Sequence, residues 1–382
     1  MNCMKTNYSK SVIFYCFTLL VFLISFNACN KKLDLPQPIS FPQDSLTIGD
    51  YITNDTSYSL FKQMAIKVGS YTNLTDKNQV YTVFAPNNNA MRSFQVPLTA
   101  AFIANAPTSV VTSLFVPLVR YSIIPGQILT QDLIPSDFPN IQLPTALSPA
   151  QIPGTLLPFS LTAFPSKRGT NFWYNNAPGI SQLAVYKNGV IYGISKVVVP
   201  PSVPLAAILY SDPRFTLFHA AINRGDAGQP ANAQIDAALN NLGANLTLFA
   251  PTNTAMKNLI VGLSGGAIPF AAPDDVFLNF IGNFVPAQTA RGLVVYHILG
   301  TRAFSVNFPS TSTYFPTLLN LGIPNHPGVQ VQSFFTGQTV DSIKVFGVGN
   351  GGFPATSKPS GNFDLNAING VMHIIDMVLL PQ

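Results

Sequence analysis

The sequence is poor in charge: of 382 residues only 9% are Asp, Glu, Lys or Arg, against about 25% in an average soluble protein. That shortage excludes a disordered charged tail, a charged coiled coil and most nucleic-acid binders, which need a dense basic footprint. Cysteine is scarce as well. The three present are Cys3, Cys16 and Cys29, and none follows, so the rest of the chain builds no disulfide framework, thiolate metal site or cysteine nucleophile. The histidines are His219, His297, His326 and His373, without the i, i+4 spacing of a helical metal site. No Gly-x-Ser-x-Gly elbow or glycine-rich phosphate loop occurs, and the 15 carboxylates show no pattern that would pair two of them across a scissile bond. Neither catalysis nor a cofactor is expected.

What the chain has in quantity is apolar residues, 47%, and proline, 32 residues. Many short elements broken by turns follow from that, rather than long helical bundles.

The first thirty residues read as an address. Lys5 and Lys10 precede an apolar run, Val12 to Phe26, that closes with Asn27-Ala28-Cys29. A charged start, a short apolar stretch and a small residue before the cut make a secretory signal peptide over 1–28. The run is shorter than the ~20 residues a bilayer span needs. Removing it leaves 18 basic residues (20 minus Lys5 and Lys10) against 15 acidic ones, a surplus of +3, too weak and scattered to neutralise a row of phosphates. Ser25 to Cys29 resembles a bacterial lipobox, which implies lipid attachment at Cys29 and a protein anchored to a membrane without spanning it. The departures are Phe26, where leucine is usual, and the bulky Asn27. Residues 29–43, punctuated by Pro36, Pro38 and Pro42, read as an extended tether. By resemblance Asn30 favours the outer membrane, because it is not the aspartate typical of inner-membrane retention.

The remainder repeats itself once. Ser59-Leu60-Phe61 answers Thr216-Leu217-Phe218 at an offset of 157. Thr82 to Met91 (TVFAPNNNAM) answers Thr247 to Met256 (TLFAPTNTAM) at 165. Tyr121-Ser122 answers Tyr296-His297 at 175, and Asn188-Gly189-Val190 answers Asn369-Gly370-Val371 at 181. The landmarks keep their order while the offset grows, so the second copy is the first with lengthened loops, which cost little in closure entropy. Each Phe-Ala-Pro box reads as a half-buried strand ended by proline and followed by a helix, with Thr252, Asn253 or Thr254 as cap and Ala255, Met256, Leu259 and Ile260 as its apolar stripe. Each Asn-Gly reads as a type I′ hairpin turn leading into a strand.

These boxes, in this order and spacing, resemble the fasciclin (FAS1) domain over residues 44–201 and 202–382. The resemblance implies an α+β fold: two tandem FAS1-like domains, each a small β-sandwich or wedge with helices packed on one side. It implies a role in cell adhesion or binding of an extracellular protein or matrix ligand, without a cofactor. The second copy fits the pattern better, since the first has Tyr121-Ser122 for Tyr-His and Tyr192 where the second has His373.

Three groups of residues could carry binding. Phe172, Trp173 and Tyr174 lie among amides in an insertion of copy one, and read first as a local aromatic cluster covering a sheet edge and otherwise as aromatic faces that stack on sugar rings; the second reading makes a glycan-binding accessory lipoprotein of a polysaccharide uptake system the alternative function. Tyr296 and His297 form the Tyr-His pair, and their apolar neighbours point to burial and a role in the fold first. Arg224-Gly225-Asp226 reads first as a helix end with Gly225 as its C-terminal cap, and only after that as an adhesion-type tripeptide. The expected partners are thus a membrane, through the lipid, and an extracellular protein, matrix or glycan ligand. Nucleic acid is not among them.

Overall fold

Copy one is built on a central pair of parallel strands. In chain order its strands are β1 (Tyr81–Pro86), β2 (Ile123–Pro125), β3 (Leu143–Pro144), β4 (Thr162–Ala163), β5 (Pro165–Arg168), β6 (Asn171–Tyr174), β7 (Ala177–Tyr186) and β8 (Gly189–Ile194). β1 pairs in parallel with β8, and a single sheet runs β2-β1-β8-β7-β6-β5, with β3 and β4 as a separate ribbon. Copy two supplies β9 (Leu246–Pro251), β10 (Ile298–Leu299), β11 (Thr313–Phe315), β12 (Val329–Thr336), β13 (Thr339–Phe346), β14 (Ala355–Ser357), β15 (Leu365–Ala367) and β16 (Gly370–Ile375). Here β9 is parallel to β16 within the sheet β10-β9-β16-β15, and β11 to β14 form a second sheet, so copy two is a wedge of two sheets.

The computed structural model describes residues 45–133, 141–147, 160–358, 361 and 363–382, without the side chains of 181–184. The leader at 1–28, Cys29 and the tether at 29–43 lie outside the described residues, as do Pro149, Pro153 and Pro158 of the proline-rich stretch in copy one. Residues Ser45–Gln382 form one compact unit. No helix among the described residues is long and apolar enough to cross a membrane.

The central strands are buried on both faces rather than half-buried as their boxes suggested; every residue of β9 and β16 is inside. Strand side chains alternate between faces. Leu248 and Ala250 of β9, with Met372 and Ile374 of β16, therefore meet the helices Leu205–Ser211, Thr216–Asp226, Asn253–Leu263, Asp274–Asn283 and Ala287–Tyr296. Phe249, Val371 and Ile375 point the other way, onto the second sheet. Copy one repeats this: Val83, Ala85 and Ile191 face the helices, while Phe84, Val190, Tyr192 and Ile194 face the opposite core.

The repeated boxes prove to be repeated hydrogen-bond brackets. Asn369 Oδ1 accepts from Leu205 N at 2.8 Å, and its amide donates to Leu239 O and Asn241 O at 2.8 and 3.0 Å. Asn188 makes the same three bonds, with Ile48 N, Leu74 O and Asp76 O. Asn88 and Asn253 bracket the preceding helix alike, accepting from Leu60 N and Leu217 N at 3.0 Å. The helix caps are Asn87 and Thr252, which accept from Ala90 N and Ala255 N.

The Asn-Gly expectation needs correction. The two-residue turns are Lys187-Asn188 and Ile368-Asn369, closed by Tyr186 pairing Gly189 and Ala367 pairing Gly370. None of the four turn residues takes a positive φ, so neither turn is type I′. The glycine is needed because the parallel neighbour comes close: a Cβ on Gly189, at φ +127°, would stand 1.8 Å from Tyr81 O.

Candidate functional site

The aromatic insertion of copy one packs inward. β5 and β6 form a ribbon; Phe164, just before β5, and Trp173 of β6 enter the core of copy two beside Phe304, Val331 and Ile343. Trp173 is 1% exposed and its Nε1 donates to Gln338 O at 2.9 Å. Arg168 donates to Val306 O and Phe308 O at 3.2 and 3.0 Å, and its guanidinium lies over the Phe335 ring. In return Arg302 of copy two stacks on Phe164, its guanidinium carbon 4.5 Å from the ring centroid. Burial lowers the Arg302 pKa to about 10, and its donors are spent on Asn245, Asn366 and Ile368 O. Phe172 and Tyr174 are buried in copy one's own core, where Tyr174 donates to Tyr121 O and desolvation drives its phenol pKa well up. The three aromatics therefore offer no face to a sugar. Their local sequence does not show this, because Trp173 is covered from copy two, by Gln338 at 165 positions' distance, and Phe172 and Tyr174 by Tyr192, Phe84 and Tyr121 of other elements of copy one.

Tyr296 and His297 are buried as well. Tyr296 ends its helix and its hydroxyl donates to Gly328 O at 2.7 Å while accepting from Val348 N. His297 Nε2 accepts from Leu379 N at 2.9 Å, which places the ring proton on Nδ1, donating to Leu293 O at 2.8 Å. Desolvation lowers its pKa to about 4. His373 is fixed in the other tautomer: Nδ1 accepts from Asp364 N and Nε2 donates to Ala303 O. Copy one makes equivalent links with different atoms, since Ser122 Oγ donates to Leu118 O and Tyr192 Oη to Ile128 O.

The tripeptide is not a loop. Arg224, Gly225 and Asp226 are the last turn of the helix Thr216–Asp226. Arg224 Nε donates to Val285 O at 2.7 Å, and Asp226 accepts from Ile235 N, Asp236 N and Arg291 Nη1 at 2.7, 3.0 and 3.2 Å. Gly225 is inside the helix rather than its cap. Its role is contact, because a Cβ there would stand 2.8 Å from Arg291 Cα, and the left-handed glycine that ends the turn is Gly228.

Two concave sites among the described residues bear on binding. A crevice of about 580 Å³ between the copies is lined by Ser93, Gln95, Lys196, Asp364 and Asn366. It also holds Asn175, which with Asp364 makes the two non-glycine residues at positive φ among those described. Both have their polar atoms engaged: Asn175 with Phe164 N and Tyr121 Oη, Asp364 with Ser305 and Asn176. The second site is an apolar cleft of about 660 Å³ in copy two, between helices Asn253–Leu263, Asp274–Asn283 and Ala287–Tyr296 and the C-terminal segment. Leu259 and Ile260 have the spacing of a core stripe, and nothing in that spacing shows the cleft. The available signal was the helix length, 11 residues against 5 for Asn88–Arg92 in copy one. No cluster of three or more His, Cys, Asp or Glu side chains among the described residues is placed to hold a metal ion.

No curated protein matches this chain. Among solved structures, a FAS1 domain pair from the insect cell adhesion molecule Fasciclin I is similar at 16% identity, over 85% of this chain and 97% of that one, with a TM-score of 0.35. The Fasciclin domain model matches residues 56–200 and again 213–381. With the strand-to-helix box and the buried Asn-Gly anchor present in both stretches, the chain belongs to the fasciclin domain family as a tandem pair.

Proposed function

We propose that this is a membrane-tethered adhesion protein that binds an extracellular protein or matrix ligand through copy two. The observation that carries the reading is the distribution of exposed aromatics: among the described residues Phe270, Phe284, Tyr314 and Phe353 are exposed, and all belong to copy two. Phe284 and Phe353 are each 69% exposed. Aromatic residues are enriched where proteins bind each other, and among the described residues copy two alone carries them exposed. The lipobox-like segment supplies the anchor at Cys29, on the outer membrane and facing outward, with residues 29–43 as spacer. A glycan-uptake role loses its support, because Trp173 is covered on the inside of the molecule.

The test is a binding screen of the Ser45–Gln382 unit against a panel of matrix proteins and a glycan array, side by side. Saturable protein binding that weakens in a Phe284→Ser/Phe353→Ser variant supports the reading. Glycan binding alone, or protein binding indifferent to both substitutions, overturns it.

A further inference from the structure

We propose that the cleft in copy two is a binding site for one uncharged lipophilic small molecule. The proposal stands apart from the adhesive reading, which concerns the outer surface.

Three observations carry it. The first is the chemistry of the walls. The cleft's floor is made by Met256, Ile260, Ile281 and Ala290, all buried, and no Asp, Glu, Lys or Arg lines it. Its single imidazole, His326, is occupied: Nδ1 accepts from Gly328 N, so Nε2 carries the proton and donates to Pro381 O at 2.8 Å. The remaining polar side chains, Gln288, Thr289 and Gln382, are neutral. A charged group entering such a space would lose its hydration without meeting a side-chain counter-charge, whereas an alkyl or ring skeleton gains from leaving water. A volume near 660 Å³ lies within the ~300–1,000 Å³ usual for small-molecule sites.

The second is Gly292, in the interior of the helix Ala287–Tyr296 and on the cleft wall, where an added Cβ would meet no atom within 4 Å. Glycine there weakens the helix by roughly 1 kcal/mol relative to alanine. Its φ lies outside the left-handed range, so backbone geometry does not require it. It leaves volume open that a leucine would fill.

The third is the internal comparison. Counted by the repeat, Lys257 corresponds to Arg92, where the copy-one helix ends. The wall residues Leu259, Ile260 and Leu263 come from the turns beyond it, so this wall has no counterpart in the copy-one helix. At the mouth Leu263 and Ile323 remain 65% and 51% exposed, an apolar entrance.

The experiment titrates the Ser45–Gln382 unit, which contains all four hydrophobic cores, with the uncharged dye Nile red, followed by displacement with 1-decanol. One saturable, decanol-displaceable site per chain is expected. Gly292→Phe, which fills the cleft, should weaken dye binding at least about tenfold, and Gly262→Ala, also in open space but off the cleft, should not change it. Absence of a saturable site, two sites per chain, or unchanged affinity in a folded Gly292→Phe would overturn the proposal. Should that variant fail to fold, Leu263→Lys at the exposed mouth decides: weaker binding supports the site and unchanged binding overturns it.

Discussion

The indole N–H of Trp173 lies 2.9 Å from the carbonyl oxygen of Gln338, so the chain's one tryptophan, from copy one, is hydrogen-bonded into copy two. Around it Arg168 and Phe164 reach across as well. The two copies thus share a core and do not depend on a surface contact alone.

Trp173→Ala should accordingly cost about 3–5 kcal/mol, the range for emptying a large buried aromatic site. Urea unfolding of the variant checks this. In the native protein the same residue should emit at short wavelength and shift to the red in one step as the shared core opens. An emission maximum already at the solvent-exposed position would contradict the buried junction.

Stability should fall with acid in a window set by histidine. His297 has its pKa lowered from 6.5 to about 4, and that of His373 is lowered too, by burial. Between these values the unfolded chain binds protons that the folded one refuses. The neutral rings therefore contribute fully above pH ~6.5, and the contribution is lost as pH falls toward 4, by roughly 3 kcal/mol for His297. Urea midpoints at pH 7.5 and 4.5 measure it. His297→Ser, which adopts copy one's solution at Ser122, should flatten the slope at the expense of packing.

Asp226 belongs to the fold and not to an adhesion motif. Asp226→Ala removes the acceptor for two backbone amides and for Arg291, a loss of about 3 kcal/mol or more. Gly225→Ala should destabilise as well by pressing on Arg291. Both effects appear in thermal melts, while soluble peptides carrying the tripeptide should leave ligand binding by the folded protein unchanged.

The Asn anchors should be equivalent in the two copies. Asn188→Ala and Asn369→Ala each strand one buried N–H and two carbonyls, at ~1–3 kcal/mol per unpaired group. Each variant should lower the urea midpoint strongly and by a similar amount; a mild effect at either site would show that water replaces the side chain there.

Local chemistry carried the family, the repeat and the order of elements into the sequence. A proline that ends a strand, a Thr or Asn that caps the next helix and an Asn that ties a turn to distant carbonyls act within a few residues or demand one residue type, so they stay legible as boxes in both copies. Tertiary structure alone decided which aromatics are inside and which are out. Phe172-Trp173-Tyr174 and Arg224-Gly225-Asp226 look available as short strings, yet Trp173 is held by Gln338, Phe172 and Tyr174 sit in copy one's own core, and the tripeptide is held by Arg291 and Val285, residues that no local pattern brings near. The cleft is hidden in the sequence for the same reason. Leu259, Ile260 and Leu263 have the spacing of any buried stripe, and only the arrangement of three helices around Gly292 leaves the space between them unfilled.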